Sequence, residues 1–213
     1  MKKLLTFGLC SFVLTPCFAT EIKPFIGANL ALSTISWTNE AIKAGADLWD
    51  LPISTFGMGV DGGVKFANDT IYNCGITLAY DYTFDTKATI HSNAKPYIQS
   101  LTFGLSSFSA TFDNYIRISG EEEHRQDIVL GLGIASMTER VKLTPTSFGI
   151  YEGLTPINET GSGGATVLKI GYNENFGKFD IYTNLRFFFP GDNEDEKDIQ
   201  TILQFNFGAR YIF

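Results

Sequence analysis

Nine charged residues of this sequence recur at one kind of position. Asp61, Asp81, Asp113 and Asp180, together with Lys65, Arg117, Lys169, Arg186 and Arg210, stand on the polar side of segments in which apolar and polar residues alternate. A strand points successive side chains to opposite faces, so these residues belong to the face turned away from the apolar one. Four carboxylates against five cations on one enclosed face suggest paired charges, not a lining of single sign. Two kinds of chemistry follow: an ion-paired polar interior that holds a fold together, or a charged path for a small solute.

Catalytic and metal chemistry finds less support. A Ser/His hydrolase needs the two side chains within hydrogen-bond reach. His91-Ser92-Asn93 brings the two types together in sequence, but neighbours in an extended loop point apart. His124 lies in Glu121-Glu122-Glu123-His124-Arg125, a charged link expected at the end opposite the long loops. Cys74, His91 and His124 are too few and too scattered for a zinc site. The acidic stretch 191–198 offers oxygen ligands without the spacing and central glycine of a calcium loop, and reads as a solvated charge run. No catalytic residue, cofactor or metal ligand is assigned on these grounds.

The elements that must carry the charged face are strands. From residue 21 onward, segments of about ten residues show period-two hydrophobicity between turn-rich stretches, with no long segment of helical period. Segments 22–33, 55–66, 72–84, 107–118, 127–135, 166–172, 179–189 and 203–213 predict eight strands. A ten-strand alternative pairs 97–105 with the segment after Ser107 and adds a strand around 148–154. The connections alternate short and long, as an even-stranded barrel with tight turns at one end and loops at the other requires. The link 119–126 is the exception, since it is charged and about eight residues long. Exposed aromatic and aliphatic residues mark two of the long links: Leu48, Trp49 and Leu51 in the first, and Phe148, Ile150, Tyr151 and Leu154 in the one after the fifth strand. Residues of this type suit contact with a protein partner, packing on one another, or insertion into the lipopolysaccharide layer.

What the apolar face meets is indicated by the other end of the chain. Residues 1–19 read as a secretory signal: Lys2 and Lys3, an apolar run over 4–14, and Cys17-Phe18-Ala19 as a small-x-small cleavage site. The mature domain is then expected to be 20–213. Its 14 Lys and Arg against 23 Asp and Glu give a net charge of −9, which argues against nucleic acid as a partner. Beyond the signal, nothing approaches the run of about 20 apolar residues that a spanning helix needs. The apolar faces instead end in large aromatics, as in Phe56 and Phe66, Tyr82 and Phe84, Phe187 and Phe189, and Tyr211 and Phe213. Aromatic girdles of this kind mark the two interfaces of a membrane barrel.

Together, the signal, Phe25-Ile26-Gly27-Ala28 in the first strand, Gly131-x-Gly133 within 127–135, and the terminal Ala209-Arg210-Tyr211-Ile212-Phe213 make the chain resemble the OmpA/OmpX-type small outer-membrane β-barrel proteins. The resemblance implies an all-β, antiparallel, up-and-down transmembrane barrel in the cell outer membrane. It also implies a non-enzymatic role in envelope integrity, adhesion and surface interaction. Tyr211 and Phe213 resemble the C-terminal signal that such proteins present to the barrel-assembly machinery. The expected partners are outer-membrane lipid and lipopolysaccharide, that machinery, and a host or surface ligand at the external loops. A narrow porin or small-molecule transport barrel is the alternative reading, and a lipid-modifying envelope enzyme the third.

Overall fold

A computed structural model of the chain describes residues 21–37, 54–67, 71–89, 98–121, 124–153, 155–191 and 199–213. Among the described residues nine strands form: β1 (Glu21–Trp37), β2 (Ser54–Ala67), β3 (Tyr72–Thr83), β4 (Thr86–Thr89), β5 (Ile98–Glu121), β6 (His124–Pro145), β7 (Ile157–Phe176), β8 (Phe179–Pro190) and β9 (Ile199–Ile212). A one-turn helix, α1 (Ser147–Tyr151), stands between β6 and β7. Each long strand pairs antiparallel with its neighbours, β9 pairs back on β1, and β3 pairs with β5, so eight strands close a ring. The short β4 continues beyond β3 along the same edge of β5. Closure removes the unpaired backbone edge, the feature that hydrocarbon does not tolerate.

The burial pattern is inverted relative to a soluble protein. Phe56 is 49% exposed, Ile76 43%, Leu185 37% and Phe205 44%, while Asp113 is 0% and Arg186 1% exposed. A sandwich or soluble barrel would reverse these positions. The apolar face therefore points away from the barrel axis on every long strand. At the turn end Phe179, Tyr211 and Phe213 form an edge-to-face series with centroids 5.3 and 5.2 Å apart. Towards the loop end Phe84 sits 6.2 Å from both Phe56 and Tyr82.

The ten-strand alternative is overturned. Ser106 and Ser107 lie in the middle of β5, which runs unbroken from Ile98 to Glu121, and the described residues 148–153 contribute to α1 and the turn after it, not a strand. The physical reason is a change of phase along the strand. Phe108, Ala110 and Phe112 point outward, but above them Leu101, Phe103 and Leu105 point inward and are buried. On β6 the outward row passes from Ile128, Leu130, Leu132 and Ile134 to Ser136, Thr138, Arg140 and Lys142, while Met137 turns in. The strand continues; its outer solvent changes from hydrocarbon to water.

The same continuity corrects the turn end. The link expected over 119–126 shrinks to residues 122–123, because β5 reaches Glu121 and β6 starts at His124. Between β7 and β8 only Gly177 and Lys178 remain, with Gly177 at φ 68°, a backbone conformation that glycine adopts at no steric cost.

The position of the phase change predicts where a charge is tolerated. Val60→Arg, in the apolar band of β2, is expected to lower stability in lipid vesicles by about 2–4 kcal/mol, whereas Ser136→Arg, just beyond the band on β6, should cost about 0–1 kcal/mol. Urea or guanidinium unfolding of the two variants in vesicles measures the difference, and equal losses would contradict the assigned edge.

Candidate functional site

The interior is the place where the sequence gathers its charges, and it is layered. Nearest the turn end, Asp127 accepts from Arg125 Nε at 2.5 Å and from Lys65 Nζ at 3.4 Å. Lys65 also lies 4.0 Å from Asp180, whose Oδ1 accepts from Asn175 at 2.6 Å. Above this layer Arg210 Nε donates to Asp61 at 2.7 Å, and its guanidinium is held between Phe25 and Tyr182, 4.6 and 4.1 Å from their ring centroids. Asp113 accepts from Lys169 and from Thr77, both at 2.6 Å. Arg186 Nη1 donates to Asp81 at 2.5 Å across strands 105 residues apart in sequence.

A neutral polar layer follows. Asn206 donates to Asn184 at 3.1 Å and to Gln204 at 3.3 Å, and Gln204 donates to Ser33 at 3.2 Å. Beyond it the lumen becomes apolar: Ile35, Phe103, Leu105, Met137, Val167, Phe188 and Ile202 form one buried cluster. The barrel thus carries two fillings, ionic towards the turns and hydrocarbon-like towards the loops. An eight-stranded barrel is just wide enough to be filled by side chains.

The ionic filling depends on bare backbone beside it. A Cβ at Gly27 would come within 2.5 Å of Asp61 Oδ1 and 2.6 Å of Arg210 Cγ, and one at Gly131 would press into Asp113. Oδ1 of Asp61, Asp81 and Asp113 and Nε and Nη2 of Arg186 have no protein hydrogen-bond partner. Buried polar atoms of that kind complete their bonding through interior water.

Eight of the nine charges singled out in the sequence enter this network. Arg117 does not. It is half-buried at the turn end beside the register shift between Arg117 and Ser119, its Nε lacks a hydrogen-bond partner, and no ion pair joins it to a carboxylate among the described residues. Its register with Asp127 is still regular, and the shift begins only beyond it. Two further members are Arg125, from the stretch read as a link, and Asp127, at the start of the fifth expected strand; both are buried and paired. Both are odd-numbered, in phase with Gly131 and Gly133, so the alternation of β6 already placed them inside. With them, the buried charges among the described residues are five acids and five bases.

His124 stands at the turn end, stacked 4.9 Å from Phe176 and bonded to Glu174 at 2.8 Å. No hydroxyl group is hydrogen-bonded to it among the described residues. His91 and Ser92, the loop residues Leu48, Trp49 and Leu51, Leu154, and the acidic positions 192–198 lie outside the described residues. On α1, capped by Thr146 Oγ1 accepting from Gly149 N at 3.0 Å, Phe148, Ile150 and Tyr151 are exposed. Tyr211 and Phe213 close the chain at the turn end, where Phe213 N donates to Pro24 O at 2.9 Å.

No protein-family model matches the sequence, and no curated protein does. Solved structures do. The attachment invasion locus protein Ail of Yersinia pestis, in complex with the heparin analogue sucrose octasulfate, is similar at TM-score 0.52 and 17% identity, over 91% of this chain and 100% of that one. Neisserial surface protein A follows at TM-score 0.48 and 13% identity, over 89% of this chain and 97% of that one. The outer membrane enzyme PagL follows at TM-score 0.44 and 11% identity, over 87% and 98%. The likeness to Ail is one of fold: this chain has the fold of the small outer-membrane β-barrels.

The network makes a double-mutant prediction. Asp81→Asn, which leaves Arg186 buried without its counter-charge, is expected to cost about 3–5 kcal/mol, whereas Asp81→Leu combined with Arg186→Met should recover most of that loss. Unfolding in detergent micelles or vesicles reads both. A single variant no less stable than wild type would remove Asp81–Arg186 from the structural network.

Proposed function

We propose that this chain is exported behind the signal at 1–19 and resides in the outer membrane as an integral barrel over 20–213. There it contributes to envelope integrity and offers its loop end for contact with surface ligands, without catalysing a reaction. The observation that carries the proposal is the inverted burial: apolar side chains exposed around the whole ring, bounded at the loop end by a sharp change to polar outward residues. Such a surface is stable only where hydrocarbon covers the band and water lies beyond it.

The filled lumen favours a structural role over transport. Paired charges occupy its lower part and an apolar cluster its upper part, so no polar path runs from turns to loops through the described residues. Among the described residues no hydroxyl is bonded to His124, whose partners are Glu174 and the Phe176 ring, so no nucleophile is paired with it there. The contact role draws support from the exposed Phe148, Ile150 and Tyr151 on α1 and from the likeness to Ail, which was crystallised with a heparin analogue. Lipid and lipopolysaccharide are the partners of the band. Tyr211 and Phe213, exposed or half-exposed at the end of β9, are the residues we assign to recognition by the barrel-assembly machinery.

Heat-modifiability tests the membrane assignment: the folded chain should migrate differently in SDS before and after boiling, and identical migration would sink it. Planar bilayers test the closed lumen, where the wild type should give no stable conductance steps. Steps that change on Arg186→Ala would establish transport instead. Labelled lipopolysaccharide incubated with the folded chain should release no acyl chains.

A further inference from the structure

We infer that the outward wall of β6 and β7 at the turn end binds the primary ammonium group of an ethanolamine phospholipid, with Glu174 as its acceptor. The inference rests on the outer-membrane reading and names the headgroup that the barrel selects in the leaflet around its turns.

Glu174 stands where its face should be apolar. The outward row of β7 runs Ile170, Tyr172, Glu174, Phe176, while Lys169, Asn173 and Asn175 turn inward and are buried. Phe176 pairs with Phe179, the first ring of the series through Tyr211 to Phe213 that marks the turn-end interface. Glu174 precedes Phe176 by two residues, which sets it about 7 Å along the strand to the hydrocarbon side of that girdle. Its neighbours across the ladder are Gln126 of β6 and Ile181 of β8. An ionisable side chain on a lipid-facing wall marks a functional position by default, and its partner has to be named.

The protein supplies orientation but no fixed counter-charge. His124 Nε2 meets Glu174 Oε1 at 2.8 Å, and Gln126 Nε2 donates to the same oxygen at 3.3 Å. The Tyr172 hydroxyl is a third donor to the carboxylate. An amide, a phenol and a neutral imidazole hold a carboxylate in place and leave it its charge. Phe176 stacks 4.9 Å from His124 and fixes the height of the imidazole. Cations stand elsewhere: Arg125, next to His124 in sequence, points into the lumen and pairs with Asp127, and Lys178 lies in the turn beyond Phe176. No lysine or arginine pairs with Glu174 among the described residues, and its side chain stays partly open on the outer surface.

The missing partner must be positively charged, must donate hydrogen bonds and must be present at this height. An ethanolamine headgroup meets all three conditions: its ammonium carries three N–H donors, as that of a lysine does, and it belongs to the phospholipid leaflet that surrounds the periplasmic turns. A choline headgroup carries the same charge with no N–H to give. The surface beside Glu174 suits the rest of the lipid, since Ile128, Ile170 and Ile181 are exposed around it and offer an acyl chain aliphatic contacts. A free amine in solution would leave those contacts unused. A basic side chain of a periplasmic protein would have to pass the Phe176 and Phe179 rings to reach the carboxylate.

The test folds the full mature chain into vesicles holding equal parts of phosphatidylethanolamine and phosphatidylcholine with identical acyl chains. Native mass spectrometry of the released barrel then reads which lipid it retains. The wild type should prefer the ethanolamine lipid about five-fold, the upper end for an ion pair that still touches solvent, and the preference should shrink as the amine is N-methylated in steps. Glu174→Gln should remove the preference. His124→Lys, which gives the carboxylate a permanent cation, should do the same while keeping the acid. Glu121→Gln, at an exposed acid nearer the turn, should leave the preference unchanged. Equal retention of the two lipids by the wild type, a preference that survives Glu174→Gln, or an equal loss with Glu121→Gln would overturn the inference. Displacement of the lipid by soluble ethanolamine at the same headgroup concentration would assign the site to a free amine and overturn it equally. Failure of the barrel reading is seen separately, as unchanged migration on boiling; a barrel that shifts on boiling yet retains both lipids equally refutes this inference alone.

Discussion

A strand in this molecule faces three media, and the alternation of its side chains must satisfy whichever medium lies on each side at each height. Within the band, the outside is hydrocarbon and the inside is a narrow polar lumen, so apolar residues point out. Above the band the outside is water, and the phase reverses: Leu101, Phe103 and Leu105 of β5 turn in where Phe108, Ala110 and Phe112 had turned out. Because a strand cannot rotate its side chains without a bulge, the reversal must be written in the sequence. Consecutive Ser106 and Ser107 write it on β5, and the passage from Ile134 through Ala135 and Ser136 to Met137 writes it on β6. Ring closure then satisfies the backbone, so that the side chains alone decide where the membrane sits.

That constraint forces the interior chemistry. Apolar residues committed to the lipid face leave polar ones to fill the lumen, and ions placed there carry a desolvation penalty unless each meets a counter-charge. Five buried acids and five buried bases among the described residues answer that requirement, and Thr77, Asn175 and the aromatic rings around Arg210 supply the remaining contacts. The pairs join strands remote in sequence, Asp81 to Arg186 and Asp61 to Arg210, and so cross the lumen where the hydrogen-bond ladder only follows the wall. Breaking one pair strands a charge. The network consequently fixes which strands face each other more sharply than it adds to overall stability.

Much of this was legible in the sequence, and the failures have a common cause. The faces of β2, β3, β8 and β9 follow directly from period two, because those strands lie almost wholly within the band. Six of the nine charges assigned to the polar face stand on them. The ends of β5, β6 and β7 did not, since a phase reversal looks like a break to a reader who expects the apolar residues to stay on one side. The stretch 98–106 was accordingly readable as part of a long link, and 136–145 as a loop. At the other end the density of charge over 121–127 concealed Arg125 and Asp127, although their odd parity was enough to place them in the lumen. Arg117 differs: its parity and its register with Asp127 are regular, but it stands half-buried at the end of the regular ladder and joins no carboxylate among the described residues.

The apolar cluster at the loop end has a consequence for where binding chemistry is available. Phe103, Phe188 and Ile202, each fully buried, stand between the ionic layers and the loop end, so a polar ligand arriving from outside would have to desolvate before meeting any interior charge. Removing that cluster would expose the ions and open a path, but would also leave the strands above the band with no core of their own. The cluster therefore does two jobs with the same side chains: it supports the extension of β5, β6 and β7 into water, and it seals the lumen.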